Sequence, residues 1–455
     1  MTELPNEIDE LKALIRQLLE ENAGLKAENA ELRRRLGMDS GNSHQPPSSD
    51  GYQKQTVKPG LPKDQKGAKG GQEGHKGNTL KRVEEPEHVQ VPVPGQCQCC
   101  GRPFSGDEAQ IVQSRQVFDL PEPRLEVTEH RLGQVECCGI SQCGEYPFDV
   151  TASVQYGPGV RALIVKLSVE HRMPLEQISQ VFEDRYGYDL NSATIESALE
   201  RGYHLAEVIE SQSMASLRKA DTVHFDETGV RVEGKLHWLH TASTETHTHL
   251  FIHEKRGGEA LTSETSVLKD FTGTAVHDCW SPYFNFDDAR HVLCGAHLLR
   301  EAGLKENGSL WADEMRELLL DLYQMLRPIL ASEQVRQHYH IILARAEFEE
   351  LPPQPRKRGQ PKQSPGRNLL NRLRKHEDGV LAFALDSGVP FTNNQAERDL
   401  RPVKVKQKVS GCFRTKVGAR MYARWQATVS TFRKPGLNVF AILRDLFAHR
   451  PVLLP

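Results

Sequence analysis

The sequence predicts a multidomain chain with an N-terminal α-helical coiled coil, a small β module, a helical region and an α/β core that contains a helical insertion. Three observations support this prediction. Leucine repeats every seventh residue near the N-terminus, six cysteines lie between Cys97 and Cys143, and short apolar strands later give way to strand–helix units. At 455 residues the chain is too long for one ordinary domain. Its hydrophobic content of 38% supports at least one sizeable core.

Changes in composition and periodicity set the predicted domain boundaries. The heptad pattern disappears after Gly37, and a Gly-Pro-Gly segment follows Tyr156. The predicted units are 1–37 (coiled coil), 38–87 (a basic Gly/Pro-rich linker), 88–150 (the cysteine-rich module), 151–218 (the helical region), 219–410 (the α/β core, with its insertion at about 304–385) and 411–455 (C-terminal helices).

Bulk charge and hydropathy restrict the class of protein. The formal net charge is −3, so the total does not indicate a nucleic-acid-binding protein, although local basic patches matter more for DNA than the sum does. No basic segment followed by an apolar core opens the chain, and no apolar run approaches the roughly 20 residues of a membrane-spanning helix. We therefore expect a cytoplasmic protein without membrane contact, whose nine cysteines are reduced.

The first heptads predict a parallel coiled coil. Leucine occupies the d positions Leu4, Leu11, Leu18, Leu25 and Leu32. The a positions hold Ile8, Ile15, Asn22, Asn29 and Leu36. Isoleucine at a with leucine at d favours two strands, and a buried asparagine at a fixes register and dimer state. We therefore expect a homodimer or higher oligomer, with a lone amphipathic helix packed on its own protein as the alternative.

The cysteine cluster predicts a zinc-ribbon-like module. Cys97-x-x-Cys100-Gly forms a first thiolate pair on a tight turn, and a second group follows at 137–143. A β-like run at 124–130 lies between them. The expected structural Zn²⁺ ligands are Cys97, Cys100, Cys138 and Cys143, with Cys99, Cys137 and His130 as rivals. The alternative is a set of free thiols.

Residues 151–218 predict helices, two of which have helix-turn-helix spacing. A short amphipathic helix follows Pro174, a turn surrounds Gly187, and a second helix begins after Asn191, a good N-cap. Plain helical packing gives the same pattern, so DNA recognition by this pair is a hypothesis.

The segment from residue 219 predicts a ribonuclease-H-like α/β core. Strands at 222–232, 236–241 and 248–253 form an antiparallel meander, with a turn at Glu233-Gly234. A helix at about 259–269, a fourth strand ending at Asp278 and a fifth strand at 291–294 follow. In such a fold the first and fourth strands are neighbours, so the carboxylates of Asp226 and Asp278 converge.

A third acid lies on a late helix. Asn393 is the expected N-cap, which places Glu397 in the second turn, and Pro402 disfavours continuation of the helix. The fold argument alone also admits Asp399. Carboxylates are the ligands that Mg²⁺ prefers, and two ions about 4 Å apart clamp the attacking and leaving oxygens of a phosphoryl transfer. With 61 acidic residues in the chain, the alternative for any one of them is a solvated surface charge.

Four motifs are similar to those of the bacterial insertion-sequence transposases of family sixty-six: Asp226-Glu-Thr-Gly, His277-Asp278-Cys-Trp-Ser-Pro-Tyr, Cys294-Gly-Ala-His297 and Asn393-Asn-Gln-Ala-Glu397-Arg-Asp-Leu-Arg. The resemblance covers nearly the whole chain. It implies a DDE transposase that cuts and joins DNA, holds Mg²⁺ (or Mn²⁺) with Asp226, Asp278 and Glu397, and works with accessory proteins of the same element. A nuclease without strand transfer and a zipper-dimerised DNA-binding regulator are the alternatives.

Basic residues follow the third acid and predict contacts with DNA phosphates, which depend strongly on salt. They are Arg398, Arg401, Lys404, Lys406 and Lys408. The alternative is a solvated basic face.

Overall fold

The structure is a computed structural model that describes residues 80–105, 110–303, 309–324, 332–350 and 363–455. The chain divides into two compact units, Tyr52–Thr128 and Met1–Gly51 together with Glu129–Pro455. The predicted coiled coil at 1–37 and the linker up to residue 79 lie outside the described residues. The dimer and the domain boundaries therefore stay predictions.

In the unit Tyr52–Thr128, the first cysteine pair lies on a tight turn. The backbone N–H of Gly101 donates to the carbonyl of Cys97 at 2.9 Å, and Gly101 has a φ of +72°. An isolated bridge between Gln96 and Pro103 closes the turn. This local geometry is the one that the Cys-x-x-Cys-Gly pattern predicts.

The second cysteine group lies on a hairpin of strands β1 (Gln134–Cys137) and β2 (Ile140–Cys143). Cys138 and Gly139 both have positive φ, +56° and +75°, in a two-residue turn whose twist matches that of the paired strands. The prediction of β structure at 124–130 is wrong, because no strand forms there. The sheet belongs to the second cysteine group and does not lie between the two groups.

Among the described residues before the core there are four helices, and the first of them, α1, runs on into a π-helical turn at Lys166–Glu170. Gly187, at a φ of +70°, ends α2, and the side chain of Asn191 accepts from the N–H of Thr194 to cap α3. The predicted helix, turn and capped second helix are therefore confirmed. The bounds are α1 (Pro158–Val165), α2 (Leu175–Tyr186), α3 (Ser192–Leu205) and α4 (Glu207–Arg218).

The core is a five-stranded mixed sheet with the order β5-β4-β3-β6-β7. Its strands are β3 (Thr222–Val232), β4 (Lys235–Ser243), β5 (Thr248–His253), β6 (Thr274–His277) and β7 (Arg290–Leu293). The first three strands are antiparallel, whereas β6 pairs in parallel with both β3 and β7. The predicted meander, and the pairing of its first strand with the fourth, are confirmed.

Eight helices follow within the described residues: α5 (Gly295–Gly303), α6 (Leu310–Gln324), α7 (Ser332–Glu349), α8 (Pro365–Lys375), α9 (Glu377–Leu385), α10 (Asn394–Ser410), α11 (Lys416–Arg433) and α12 (Val439–Phe447). Helices α6–α9 share a core around Trp311 and Leu370. Trp425 and Phe432 of α11 pack in one cluster with Val230 and Val232 of β3. None of these helices is long and apolar enough to cross a membrane.

Two local predictions are wrong. Only Gly258–Leu261 and a 3₁₀ turn at Leu268–Asp270 form in place of one helix at 259–269. The hydroxyl of Ser263 bonds the carbonyl of Ala260 at 2.7 Å, and such local bonds compete with the helix. Pro402 lies inside α10 without ending it. Its cost of about 3 kcal/mol is offset by the burial of α10 residues such as Val403.

Candidate metal and DNA site

The sheet brings Asp226 and Asp278 to one edge. In the parallel pairing Thr222 lies opposite Thr274 and His224 opposite Val276. Continuing that register by two residues places Asp278 opposite Asp226. Cys279, next in the chain, has a φ of +72°, a conformation that non-glycine residues rarely adopt and that clusters at functional sites. The turn it makes lets the N–H of Trp280 donate to Oδ1 of Asp278 at 3.0 Å.

Asp226 lies in a strongly electronegative environment. Burial raises the pKa of Asp226 well above its usual range, and the negative charges of Glu227, Asp278 and Glu397 raise it further. The N–H of Glu227 donates to Oδ1 of Asp226 at 2.8 Å and opposes the shift. Both other predicted acids, Asp278 and Glu397, therefore act electrostatically on Asp226, and a cation would relieve that repulsion.

Asn393 fixes the start of α10 against β3. Its Nδ2 donates to the carbonyl of Phe225 at 2.7 Å, and its Oδ1 accepts from Nδ1 of His224 at 3.0 Å. Its backbone N–H donates to Sγ of Cys294 at 3.1 Å. Asn393 does precede the helix, but its side chain makes no cap bond, because both of its polar atoms serve this docking. Helix α10 begins at Asn394 and Glu397 lies in its first turn, whereas the sequence placed it in the second.

Asp399, the rival third acid, belongs to a different network. Its carboxylate accepts hydrogen bonds from the hydroxyls of Ser243, Thr248 and Ser430, and pairs with Nζ of Lys434 at 2.9 Å. Both side chains of the ion pair are about a tenth exposed, 9% for Asp399 and 11% for Lys434. Asp399 therefore ties α10 to β4, β5 and the end of α11, and Glu397 is the acid of this helix that acts on Asp226.

The predicted Cys-x-x-His pair lies beside Glu397. Cys294 is buried, and burial raises the pKa of its thiol. Nδ1 of His297 is 3.9 Å from Oε1 of Glu397 and makes no hydrogen bond. Both residues flank the acid, in accordance with a local structural role.

The carboxylates fit a divalent cation in chemistry, since all three supply hard oxygen donors. Among the residues that the structure describes, however, no three His, Cys, Asp or Glu side chains are arranged so that they could hold a metal ion. The electrostatic effect on Asp226 extends over several ångströms, whereas ligation requires contact at about 2 Å. Asp278 and Glu397 are therefore close enough to act on the charge of Asp226, although the three side chains are not placed for joint ligation.

The predicted zinc ligands likewise have suitable chemistry but are not assembled into a metal-binding group among the described residues. Backbone N–H groups of Cys100 and Cys99 lower the pKa of the Cys97 thiol, which suits a thiolate ligand. In the hairpin, Cys138 lies at the turn, whereas Cys143 lies opposite Gln134 at the far end. The described residues contain no assembled metal-binding group. The assignment to Cys97, Cys100, Cys138 and Cys143 remains a prediction, as do the rivals Cys99, Cys137 and His130.

The basic residues of α10 divide between two faces. At about 100° per residue, Arg401, Lys404 and Lys408 share the face of Glu397. Nζ of Lys404 donates to the carbonyl of Gly229 at 3.3 Å. Arg398 is exposed at the side of this face, and its guanidinium donates to Oε1 of Gln395. Lys406 points elsewhere, with its Nζ 5.9 Å from the centre of the Tyr422 ring.

Residues beside the acids that the sequence reasoning did not select are Glu227, Arg256 and Tyr283. Glu227 carries almost no exposed surface on its side chain (1%), and it accepts from Tyr283 and Arg256. The acidic doublet Asp226-Glu227 was the signal in the sequence, because a second acid on a strand points to the opposite face of the sheet and needs a partner there.

A mixed α/β core with neighbouring acids at one sheet edge and a basic helix beside them is a fold suited to enzymes that act on DNA. A model of the transposase IS66 family matches residues 153–421, more than half of the chain and all three acids, and the protein belongs to this family. The predicted resemblance is confirmed. A model of a family of unknown function, DUF6444, matches residues 2–81. No curated protein matches the chain.

Proposed function

We propose that this transposase cuts and joins DNA at a metal site formed by Asp226, Asp278 and Glu397, within a ribonuclease-H-like core. The observation that carries the proposal is the parallel register of β3 and β6, which, continued two residues past its last pair, places Asp278, one residue beyond β6, opposite Asp226. Glu397 supports it, because its charge acts on Asp226 from a helix that is preceded by Asn393, the residue tied to β3. The strand order, three antiparallel strands followed by two parallel ones, is the order expected of that fold.

The chain's own residues would bind the ions and orient the DNA. Bound Mg²⁺ or Mn²⁺ would supply Lewis-acid activation of the attacking hydroxyl and charge neutralisation at the leaving oxygen. Asp226 and Asp278 would hold ions from the sheet edge, and Glu397 from the helix. A water molecule would attack first, and the freed 3′-hydroxyl would attack target DNA next. No covalent protein nucleophile is required.

DNA would follow the face of α10 that carries Arg398, Arg401, Lys404 and Lys408. Glu397 to Lys408 spans eleven residues, which is about 16 Å of helix. That length passes several phosphates of one strand, whose charges lie at 3.4 Å intervals. A DNA backbone lying along this face would therefore lead directly to the acids. Lys406, although it was predicted with the others, is on the face that packs over Tyr422.

The other predicted modules complete this proposal. The coiled coil at 1–37 would pair two protomers, the Zn²⁺-bound cysteines would stiffen the module at 88–150, and α2–α3 would contact the element ends. Accessory proteins of the same element would assist. The exposed faces of α2 and α3 leave their polar side chains free for such contact, because the buried residues Ile178, Phe182 and Ile195 pack inward.

Strand transfer is the reaction that separates this proposal from the alternatives. Purified full-length protein would be incubated with Mg²⁺ and DNA carrying the sequences that flank its gene, and nicked and joined products would be resolved on gels. Joined products support a transposase, cleavage alone supports a nuclease, and binding without either supports a regulator.

The matched variants are Asp226→Asn and Asp270→Asn. Asp226→Asn should abolish both steps and leave salt-dependent DNA binding intact. Asp270 is an exposed acid paired with Arg218 at 3.3 Å, so its loss should change neither step. Full activity of Asp226→Asn would contradict the proposed function.

A further inference from the structure

A buried acid adjacent to the proposed metal site has no role in the function described above. Glu227 points to the opposite side of β3 from Asp226, and both of its carboxylate oxygens are occupied. Oε2 accepts from the hydroxyl of Tyr283 at 2.5 Å. Oε1 accepts from Nε of Arg256 at 2.8 Å and lies 2.6 Å from another nitrogen of the same guanidinium. Desolvation of the buried Glu227 carboxylate offsets much of the attraction to Arg256, so this pair is weak support for stability alone.

Arg256 is clamped between two indole rings. Its guanidinium carbon lies 4.2 Å from the ring centre of Trp280 and 4.8 Å from that of Trp238. Arginine suits this place because its flat guanidinium stacks on aromatic faces while its edge donates to a carboxylate. About a third of the Arg256 side chain (37%) remains exposed.

This clamp connects the two acids of the sheet edge through a chain of contacts. Asp226 is bonded to the backbone of Glu227, and Glu227 to Arg256. The guanidinium of Arg256 stacks on the ring of Trp280, and the backbone N–H of Trp280 donates to Oδ1 of Asp278. The path runs from β3 through the segment after β5 to the turn after β6. A displacement of Arg256 would therefore move the carboxylate of Asp278 relative to that of Asp226.

We propose that Glu227 and Arg256 are positioning residues that hold Asp226 and Asp278 at the separation the metal site needs, a role that rests on the proposed function. They touch neither substrate nor ion and act through the two acids. Groups of this kind around metal ligands typically change metal affinity or activity about 10- to 100-fold when they are altered.

The test uses Arg256→Lys and Glu227→Gln in the full-length protein. Mn²⁺ binding without DNA is followed by calorimetry, beside melting temperature and DNA cleavage. Lysine keeps the charge but loses the flat fork, so positioning predicts Mn²⁺ affinity about 10-fold lower or more. If only the positive charge of Arg256 mattered, the Mn²⁺ affinity of Arg256→Lys would be unchanged. Glu227→Gln should weaken Mn²⁺ binding as well, and the double variant should be no weaker than the worse single one.

The molecule contains a matched control far from the acids. Arg424 pairs with Glu210 at 2.7 Å and stacks on Tyr203 at 3.8 Å, which repeats the carboxylate, guanidinium and ring in the helical region. Arg424→Lys should lower the melting temperature but leave Mn²⁺ affinity unchanged. If Arg256→Lys does not fold, Trp280→Leu removes one ring of the clamp, keeps the N–H to Asp278, and carries the same expectation.

The outcomes separate the two proposals. Unchanged Mn²⁺ affinity in folded Arg256→Lys, or a loss equal to that of Arg424→Lys, overturns the positioning role. Activity that survives Asp226→Asn overturns the proposed function itself, whatever the Arg256 variants show. Inactive Asp226→Asn together with weakened Mn²⁺ binding by Arg256→Lys supports both.

Discussion

Replacing Asp399 by asparagine should make the protein unfold more easily and leave DNA cleavage intact. Glu397→Gln should leave stability almost unchanged and abolish DNA cleavage. Asp399 and Lys434 form an ion pair with about a tenth of each side chain exposed. Removing one partner of a buried pair costs about 3 to 5 kcal/mol, because the other charge stays buried without compensation. For a core of this size that loss corresponds to a melting temperature lower by about 10 °C.

Glu397 has a much smaller part in stability. Its side chain is 35% exposed, and Nδ1 of His297 lies 3.9 Å from its Oε1. The cost of Glu397→Gln should be within about 0.5 kcal/mol, as for most surface substitutions. Melting curves measure stability, and DNA cleavage is measured well below both melting transitions. A stable but inactive Asp399→Asn, together with an active Glu397→Gln, would make Asp399 the third acid and refute the reasoning.

The same pair gives the Asp399 variant a distinctive pH dependence. Burial lowers the pKa of Lys434, and Asp399 opposes that shift. In Asp399→Asn the opposition disappears, so the folded pKa of Lys434 falls further below the unfolded value. The unfolded chain then binds more protons, and stability rises with pH up to the ordinary lysine pKa of about 10.4. As the pH is raised towards the ordinary lysine pKa, the denaturant midpoint of Asp399→Asn should therefore rise towards that of the parent protein.

Three further predictions concern other parts of the core. Burial lowers the pKa of His240 to about 4, so stability should fall by up to about 3 kcal/mol from pH 6.5 to 4, and His240→Leu should flatten that slope in denaturant titrations. Asn393→Ala removes the bond to the Phe225 carbonyl and should cost about 2 kcal/mol and slow cleavage, as melting curves and gel assays would show. Lys408→Ala should reduce the salt slope of DNA binding by about 1, whereas Lys406→Ala should not; equal slopes would contradict the division of faces.

Much of the core could be predicted from the sequence because its strands are set locally. Alternating apolar residues and the Glu233-Gly234 turn, with both φ angles positive at 52° and 73°, define β3 and β4 without reference to distant residues. The wrong predictions concern two helix boundaries that are set by side-chain contacts. The hydroxyl of Ser263 donates to the carbonyl of Ala260, where the helix is interrupted, and the packing of α10 carries the chain through Pro402.

The sequence by itself determined which residue types are available at the site and on which elements they lie. Asp226 on a strand, Asp278 at the end of the fourth strand and Glu397 on a helix follow from local pattern, although β6 ends one residue before Asp278, and the family follows from the motifs. Only the tertiary structure decided which acid of α10 acts on Asp226. A helix presents a different residue every 100°, and its rotation is set by what it packs against.

Two contacts between distant residues set that rotation. Asn393 docks the start of α10 on Phe225, and Lys434 holds Asp399 on the far side. Asn393 and Phe225 are 168 residues apart in the sequence. No local periodicity encodes a contact over such a distance. The clamp of Glu227 on Arg256, across 29 residues, likewise exists only because β3 and the segment after β5 meet in the folded sheet.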